Sequence, residues 1–211
     1  VFGGAVVDTV ARPEPGLPLQ LGTSTPGAAL QSLGGVGRNV AEGVARLLQG
    51  DPEGGEGLEP VVGVGAGPRA AVAGAGCPRR VVLASVVGED TGGTALVAGC
   101  EVAGVGAETT VERVGGGAAT AGYFAVLDSK GDLCAAVADM GVFTKMTPVG
   151  LGWERRVGHI SSAGVVVADG NLPPPGLQRL AELCLGMAKP LVFEPTSVAK
   201  SLAPVQAGVS E

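Results

Sequence analysis

The chain has 211 residues, of which 45% are hydrophobic and only 3% aromatic, so its core is expected to consist of Val, Ala and Leu. Its formal net charge of −6 argues against a nucleic-acid backbone as the main partner, because phosphate binding needs clustered Lys and Arg. A membrane-spanning helix needs about 20 consecutive apolar residues, and no stretch of the sequence reaches that length, so no membrane partner is expected.

The N-terminal quarter predicts a buried strand, a glycine turn and a helix. Val1–Val10 is apolar and β-branched, which is typical of a buried strand, and it carries Asp8 near its end. A Pro- and Gly-rich stretch follows, in which Leu17–Leu21 suggests a small β element. Gly34–Gly37 then forms a tight turn that leads into a helix over Asn39–Leu48. The apolar residues at helical spacing are Val40, Val44, Leu47 and Leu48.

Gly50–Pro78 has a different composition from its surroundings. It is rich in Gly, Pro, Glu and Ala, and it has no periodicity. We interpret residues 50–78 as a low-complexity, flexible insertion in a surface loop. The same alternating pattern continues on both sides, so residues 1–211 are predicted to form one incomplete domain.

From residue 80 onward, strands and helices alternate. The predicted strands are Arg80–Val87, Thr110–Val114, Thr120–Asp128, Leu133–Ala138, Val165–Ala168 and Pro190–Phe193. The first predicted helix opens after Glu89 and runs to Cys100, the second begins at Thr147, and the third covers Pro173–Met187. In the third helix, the residues on or near one face are Leu177, Leu180, Leu183 and Leu185. Ser129–Asp132 predicts a hairpin turn that could belong to a lid. This order favours an α/β fold with a doubly wound, mostly parallel sheet.

Polar side chains follow several of the predicted strands. Asp8, Asp169, Asn171 and Glu194 lie beyond strand ends, where ligands bind in parallel α/β sheets. A carboxylate there can accept two sugar hydroxyls, but it can also be a turn residue. Asn171 can equally cap the helix that starts at Pro173, and Glu194 has a similar ambiguity.

The glycine turn is the second candidate feature. Glycines before a helix allow a ligand to approach the backbone N–H groups at the positive end of that helix. Asn39 could offer both a donor and an acceptor to vicinal hydroxyls. No Gly-Lys-Ser/Thr follows, so the turn is not a phosphate-binding P-loop. A purely structural turn is the alternative.

Cysteine and histidine usage argues against a metal site. Cys77, Cys100, Cys134 and Cys184 are scattered without a CxxC pair, and His159, in a predicted polar loop, is the only histidine. A zinc site needs about four clustered N or S ligands. Free thiols in a reducing compartment are therefore predicted, and no catalytic Ser–His–Asp or Cys–His arrangement is expected.

Five segments together resemble the PfkB (ribokinase-like) carbohydrate kinase family. They are GGVGRNVAEGVARL (34–47), ASVVGEDTGG (84–93), TAGYFAVLDSKGDLCAAVADM (120–140), VVVADGNL (165–172) and VFEPTS (192–197). The last three are most similar to the pseudouridine kinases of that family. The resemblance covers nearly the whole chain except residues 50–78.

The resemblance implies a central sheet flanked by helices, with a small β lid over the sugar site. It implies transfer of the γ-phosphate of ATP, with Mg²⁺, to a hydroxyl of a sugar or nucleoside, most specifically pseudouridine. Ribose-holding positions would be Asp8, Gly34, Gly35 and Asn39. Thr120 would lie on a lid strand facing the substrate, and Asn171 would face the sugar after its strand.

The family's Gly-Ala-Gly-Asp motif, which supplies the general base and anion hole, does not occur in this sequence. Its Asn-x-x-Glu motif is expected beyond the part reached here. We therefore expect the chain to be a piece of a longer cytoplasmic protein. This piece should lack the C-terminal part of the fold and be inactive alone. That parent could be fused to a pseudouridine-5′-phosphate glycosidase. The alternatives are a non-catalytic remnant or binding module, and a PfkB kinase for another sugar such as ribose.

Overall fold

The computed structural model describes residues 1–49, 81–107 and 110–209. The predicted insertion at 50–78 and Cys77 lie outside these residues. The strands are β1 (Val6–Pro13), β2 (Gly27–Gly34), β3 (Val81–Val82), β4 (Ser85–Gly88), β5 (Val105–Gly106), β6 (Val111–Val114), β7 (Gly122–Leu127), β8 (Leu133–Asp139), β9 (Val166–Asp169) and β10 (Leu191–Glu194). The α-helices are α1 (Val36–Gln49), α2 (Thr91–Val102), α3 (Trp153–Ser162), α4 (Pro174–Gly186) and α5 (Ala203–Gln206), and 3₁₀ helices cover Gly141–Lys145 and Ala199–Leu202.

A central layer of parallel strands is held together by the first residues of the chain. Phe2 bridges Ala84, just before β4, and Ala168 in β9, both in parallel orientation. On one side β9 pairs with β10, and on the other β3 pairs with β5 and β4 with β6, all in parallel. Strands joined through helices in this way produce the parallel layer that the alternating sequence pattern predicts.

Both faces of this layer are covered. Ala84 and Val86 point into one buried cluster, which includes Leu180 of α4. Leu83 and Val87 point into the other, with α1 and α2. Because side chains alternate along a strand, one apolar run supplies both cores, which is the pattern of a doubly wound sheet.

The second layer is a four-stranded sheet, which we call the lid sheet, with the order β2-β1-β7-β8. β1 is antiparallel to β2 and parallel to β7, and β7 and β8 form an antiparallel hairpin. The hairpin turn is closed by Asp128, whose Oδ1 accepts from the backbone N–H groups of Lys130 and Asp132 at 2.8 and 2.9 Å. The predicted hairpin is therefore confirmed.

The first predicted strand, Val1–Val10, is divided between the two layers. Residues 1–3 pair within the central layer, and β1 begins only at Val6. Gly3 and Gly4 occupy the bend between the two parts. The sequence pattern missed this bend because the run stays apolar on both sides of it.

Other boundaries also differ from prediction. The helix predicted at Thr147 begins at Trp153 instead, because residues 147–150 form a turn in which Gly150 N donates to Thr147 Oγ1 at 3.0 Å. Leu17–Leu21 contains irregular chain and a turn rather than a strand, whereas β2 was not predicted as a strand. His159 lies in α3, not in a loop.

The buried face of α1 is not the one that the large apolar residues predict. Ala41 and Ala45 are buried, whereas Val44 and Leu47 are exposed. The small alanine side chains let the helix backbone approach the sheet closely, and that packing outweighs the burial of the larger residues. In α4, Leu185 is likewise exposed.

Candidate functional site

The candidate site is built where two glycine-rich segments cross. Gly35 has a φ of +95°, and a Cβ there would lie 2.5 Å from the carbonyl oxygen of Gly4. A Cβ on Gly37 would lie 2.7 Å from Cα of Gly3. Arg38 N donates to Gly4 O at 3.1 Å. The crossing therefore requires backbone-to-backbone contact that only glycine permits.

Asp8 faces this crossing from β1. A Cβ on Gly34 would overlap Oδ2 of Asp8, so a side chain at this position would displace the carboxylate. Burial raises the pKa of Asp8, and the nearby positive charge of Arg38 partly opposes that shift. The result is a half-buried carboxylate beside a glycine turn, an arrangement suited to accepting hydroxyl hydrogens.

Arg38 ties the turn to the first residues of α1. Its Nη1 donates to Leu33 O at 2.7 Å and to Asn39 Oδ1 at 3.1 Å, and its Nη2 lies 2.5 Å from Oε2 of Glu42. Asn39 itself is exposed. Arg38 therefore holds the oxygen of the Asn39 amide and places positive charge near Asp8.

The carboxylate of Asp169, at the end of β9, is 1% exposed. Its Oδ2 accepts from Gly4 N at 2.8 Å, and its Oδ1 accepts from Asn171 N at 2.8 Å. Burial raises the pKa of Asp169, and the hydrogen bonds from Gly4 and Asn171 partly oppose this. A Cβ on Gly3 would lie 2.5 Å from Asp169 Cγ, so the bend at Gly3 and Gly4 also makes room for this carboxylate.

Asn171 is held at both ends of its amide. Nδ2 donates to Asp169 Oδ2 at 3.0 Å, and Oδ1 accepts from Lys200 Nζ at 2.5 Å. The alternative in which Asn171 caps α4 is wrong, because the N-cap residue is Pro173. A Cβ on Gly4 would lie 2.7 Å from Asn171 Nδ2, which places this amide beside the glycine crossing.

Thr120 is placed differently from the prediction. It precedes β7 rather than lying on it. Its Oγ1 donates to Asp90 Oδ1 at 2.5 Å and accepts from Gly88 N at 2.9 Å, and its N–H donates to Asp90 Oδ2 at 2.7 Å. Burial acts to raise the pKa of Asp90, but hydrogen bonds from Thr120 and Gly93 lower it below its usual range. Thr120 thus fastens the N-terminus of α2, where Asp90 is the N-cap.

The crossing brings most of the predicted site residues together. Asp8 adjoins Gly34, while Gly35 and Asn171 both adjoin Gly4. Asn39 is attached through the guanidinium of Arg38. Thr120 is bonded to Asp90 and Gly88 instead.

The site positions that the family resemblance implied do not include four residues that the structure adds, namely Gly4, Arg38, Asp169 and Lys200. Of these four, only Asp169 had been named from the sequence, as a polar residue beyond a strand end. Paired glycines inside an apolar run are a sequence signal of close backbone approach and could have identified Gly4. Asp169 directly follows the predicted strand Val165–Ala168, but nothing local distinguished Arg38 or Lys200 from other surface cations.

Two further observations concern the part of the chain that the structure describes. Within residues 1–49, 81–107 and 110–209, no three or more His, Cys, Asp and Glu side chains are grouped so that they could hold a metal ion. No helix in this part of the chain is long and apolar enough to cross a membrane.

No protein-family model and no curated protein matches the sequence. Solved structures do match. A carbohydrate kinase from Agrobacterium tumefaciens is 24% identical with a TM-score of 0.75, over 98% of this chain and 56% of that one. Arabidopsis thaliana ribokinase complexed with ribose and ATP is 18% identical with a TM-score of 0.65, over 91% and 51%. Fructokinase from Xylella fastidiosa with bound ATP is 22% identical with a TM-score of 0.55, over 91% and 49%.

These likenesses establish the fold. The predicted doubly wound, ribokinase-like architecture with a small β lid is confirmed, and these three structures are carbohydrate kinases. The chain spans about half the length of the structures it matches.

Proposed function

We propose that this chain is the substrate-binding part of an ATP-dependent kinase that phosphorylates a hydroxyl of a sugar or nucleoside. One observation carries the proposal: the glycine crossing gathers Asp8, Gly34, Gly35 and Asn171 where the central strands end and the lid sheet begins. In parallel α/β sheets, ligands bind beyond the carboxyl ends of the strands. The ribose and ATP in the structurally similar ribokinase support the same substrate class.

The chemistry of the site suits vicinal hydroxyls. The Asp8 carboxylate can accept hydroxyl hydrogens, while the Asn39 and Asn171 amides can donate to hydroxyl oxygens. Hydrogen bonds to charged groups contribute about 1.5–3 kcal/mol each. Asp8 is therefore expected to contribute more to affinity than either asparagine.

Within this class, pseudouridine is the proposed substrate and ribose the runner-up. The choice rests on the resemblance of residues 120–140, 165–172 and 192–197 to pseudouridine kinases. A cytoplasmic location, use of Mg²⁺ by the complete protein and fusion to a pseudouridine-5′-phosphate glycosidase rest on the same resemblance. A non-catalytic binding module remains the alternative outside the enzyme class.

Titration calorimetry of the full 211-residue chain with pseudouridine, uridine and ribose tests the proposal. We expect binding of at least one of the three, and Asp8→Ala should weaken it by about 10- to 100-fold, because the hydroxyl loses a charged partner. Asp132→Ala, which removes an exposed carboxylate at the tip of the lid hairpin, is the matched control and should bind like the original chain. Failure of all three compounds to bind, or wild-type affinity in a folded Asp8→Ala variant, would exclude this function.

Catalysis is a separate question from binding. We expect the chain alone not to phosphorylate pseudouridine, because its sequence lacks the Gly-Ala-Gly-Asp motif that supplies the base and anion hole in the family it resembles. Incubation with ATP, Mg²⁺ and pseudouridine, followed by chromatographic detection of the 5′-phosphate, measures this. Product above the level of a protein-free control would contradict the expectation without affecting the binding proposal.

A further inference from the structure

The amide of Asn171 lies between a cation and a carboxylate. Lys200, in the 3₁₀ helix after β10, places Nζ 2.5 Å from Asn171 Oδ1, while Asn171 Nδ2 lies 3.0 Å from Asp169 Oδ2. Rotating the amide by half a turn would set its NH₂ group against the ammonium and its oxygen against the carboxylate. Both contacts would then be repulsive, so the two charges together select one orientation of the amide.

Lys200 is brought to this position by the loops that follow β9 and β10. Gly170 N donates to Glu194 O at 2.8 Å and to Thr196 Oγ1 at 3.0 Å, and Glu194 Oε2 accepts from Thr196 N at 2.9 Å. A Cβ on Gly170 would lie 2.9 Å from Lys200 Cβ. The glycine therefore lets the 3₁₀ helix lie directly against the end of β9.

The carboxylate that completes the arrangement is itself immobilised. Asp169 is buried and accepts from Gly4 N at the glycine crossing. No carboxylate of the described residues lies within ion-pair distance of Lys200. The lysine charge is thus directed at a neutral amide rather than at one of these carboxylates.

We propose that Lys200 is a positioning residue that fixes the orientation of the Asn171 carboxamide, so that this residue offers its remaining N–H to the ligand. The ligand must then present an acceptor atom to Asn171 while presenting a hydroxyl hydrogen to Asp8. This determines the hydrogen-bond polarity of the site, a property that residue identity alone leaves open. Only the nature of the ligand rests on the proposed function.

Side-chain amide NMR of the full chain tests the orientation directly. The two Asn171 amide protons, assigned by their loss in Asn171→Ala, should be well separated and slow to exchange with solvent. Lys200→Met keeps the length of the side chain but removes the donor and the charge, and it should speed that exchange by about tenfold or more. Lys200→Arg should restore slow exchange, and Lys130→Met, which alters an exposed lysine of the lid hairpin, should leave it unchanged.

Ligand affinity provides the second measurement. Lys200→Met should weaken binding of pseudouridine or ribose by roughly tenfold, and Lys200→Arg should recover most of the loss. If Lys200→Met does not fold, Lys200→Gln, which keeps an N–H donor without the charge, replaces it in both measurements. Asn171 protons unchanged in a folded Lys200→Met or Lys200→Gln variant would overturn the proposal. Slow Asn171 exchange that depends on Lys200, with no binding of these compounds by the original chain, would uphold the orienting role of Lys200 and exclude the proposed function.

Discussion

The central layer and the lid sheet are both made of strands, yet they are stabilised differently. All four residues of β4 are buried, whereas all seven residues of β8 are exposed. Helices cover both faces of the central layer, while much of the lid sheet faces solvent. Packing therefore stabilises the first region, and the second depends largely on its backbone hydrogen bonds.

The candidate site lies at the boundary of these two regions. β1 carries Asp8 into the lid sheet, whereas Asp169 and Asn171 belong to the end of the central layer. The comparison implies that substitutions in the central layer reduce stability, and that substitutions in the lid sheet reduce binding or have little effect.

The largest effect is expected in the packed layer. Leu180 in α4 is 0% exposed, and Leu180→Ala should lower the free energy of unfolding by about 2–5 kcal/mol, because it removes buried surface and leaves a cavity. Val137 in β8 is 67% exposed, and Val137→Ala should change the free energy of unfolding by about 0.5 kcal/mol or less. Denaturant unfolding of both variants measures the difference. Equal losses would show that the lid sheet is as tightly packed as the core.

The glycine crossing should be the next most sensitive place. Gly35→Ala would force a side chain into a left-handed backbone conformation and against Gly4 O, costing about 2 kcal/mol or more. Gly131, in the lid hairpin, has a φ of +91° with open space around it. Gly131→Ala should therefore lower the free energy of unfolding only by the cost of the left-handed backbone conformation, about 1–2 kcal/mol. If the two losses were equal, the close backbone approach would contribute nothing.

Binding should depend on pH through Asp8. Burial raises the pKa of this carboxyl above its usual range, and its ionised form is the one that accepts hydroxyl hydrogens. The affinity for the ligand should be full well above the raised pKa and should fall as the pH drops through it. This loss should occur at a higher pH than the titration of an exposed aspartate, whose pKa is about 4. Calorimetric titrations across this range measure the effect. Asp8→Asn should bind weakly with no such dependence, and the same acid loss in that variant would assign the titration to another group.

The smallest effect concerns the outer face of the central layer. Gly43 in α1 is exposed with open space around its Cα, so Gly43→Ala should raise the free energy of unfolding by about 0.5–1 kcal/mol. Gly99 in α2 is the contrasting position, because a Cβ there would overlap Cδ1 of Leu33 from the lid strand β2. Gly99→Ala should bring no gain. Thermal unfolding of the two variants would show whether the lid sheet rests against α2 at this point.

Much of the fold follows from local sequence patterns. The β7–β8 hairpin, β9, α4 and β10 were all predicted within a few residues, because strand and helix periodicities and turn residues act over short distances. Helix α1 was found for the same reason, but its buried face was not. Hydrophobicity favoured Val44 and Leu47, whereas the close approach to the sheet selected Ala41 and Ala45.

The sequence by itself determined which residue types stand at the strand ends and the glycine turn, including Asp8, Gly34, Gly35 and Asn171. Only the tertiary structure decided how they are joined. Gly4 and Asp169, whose hydrogen bond connects the two halves of the site, are 165 positions apart, and Lys200 reaches Asn171 from another loop. Thr120 likewise forms a hydrogen bond with Asp90, which is 30 positions away. Periodicity and propensity report interactions between near neighbours in sequence, whereas these contacts arise only when distant segments pack together.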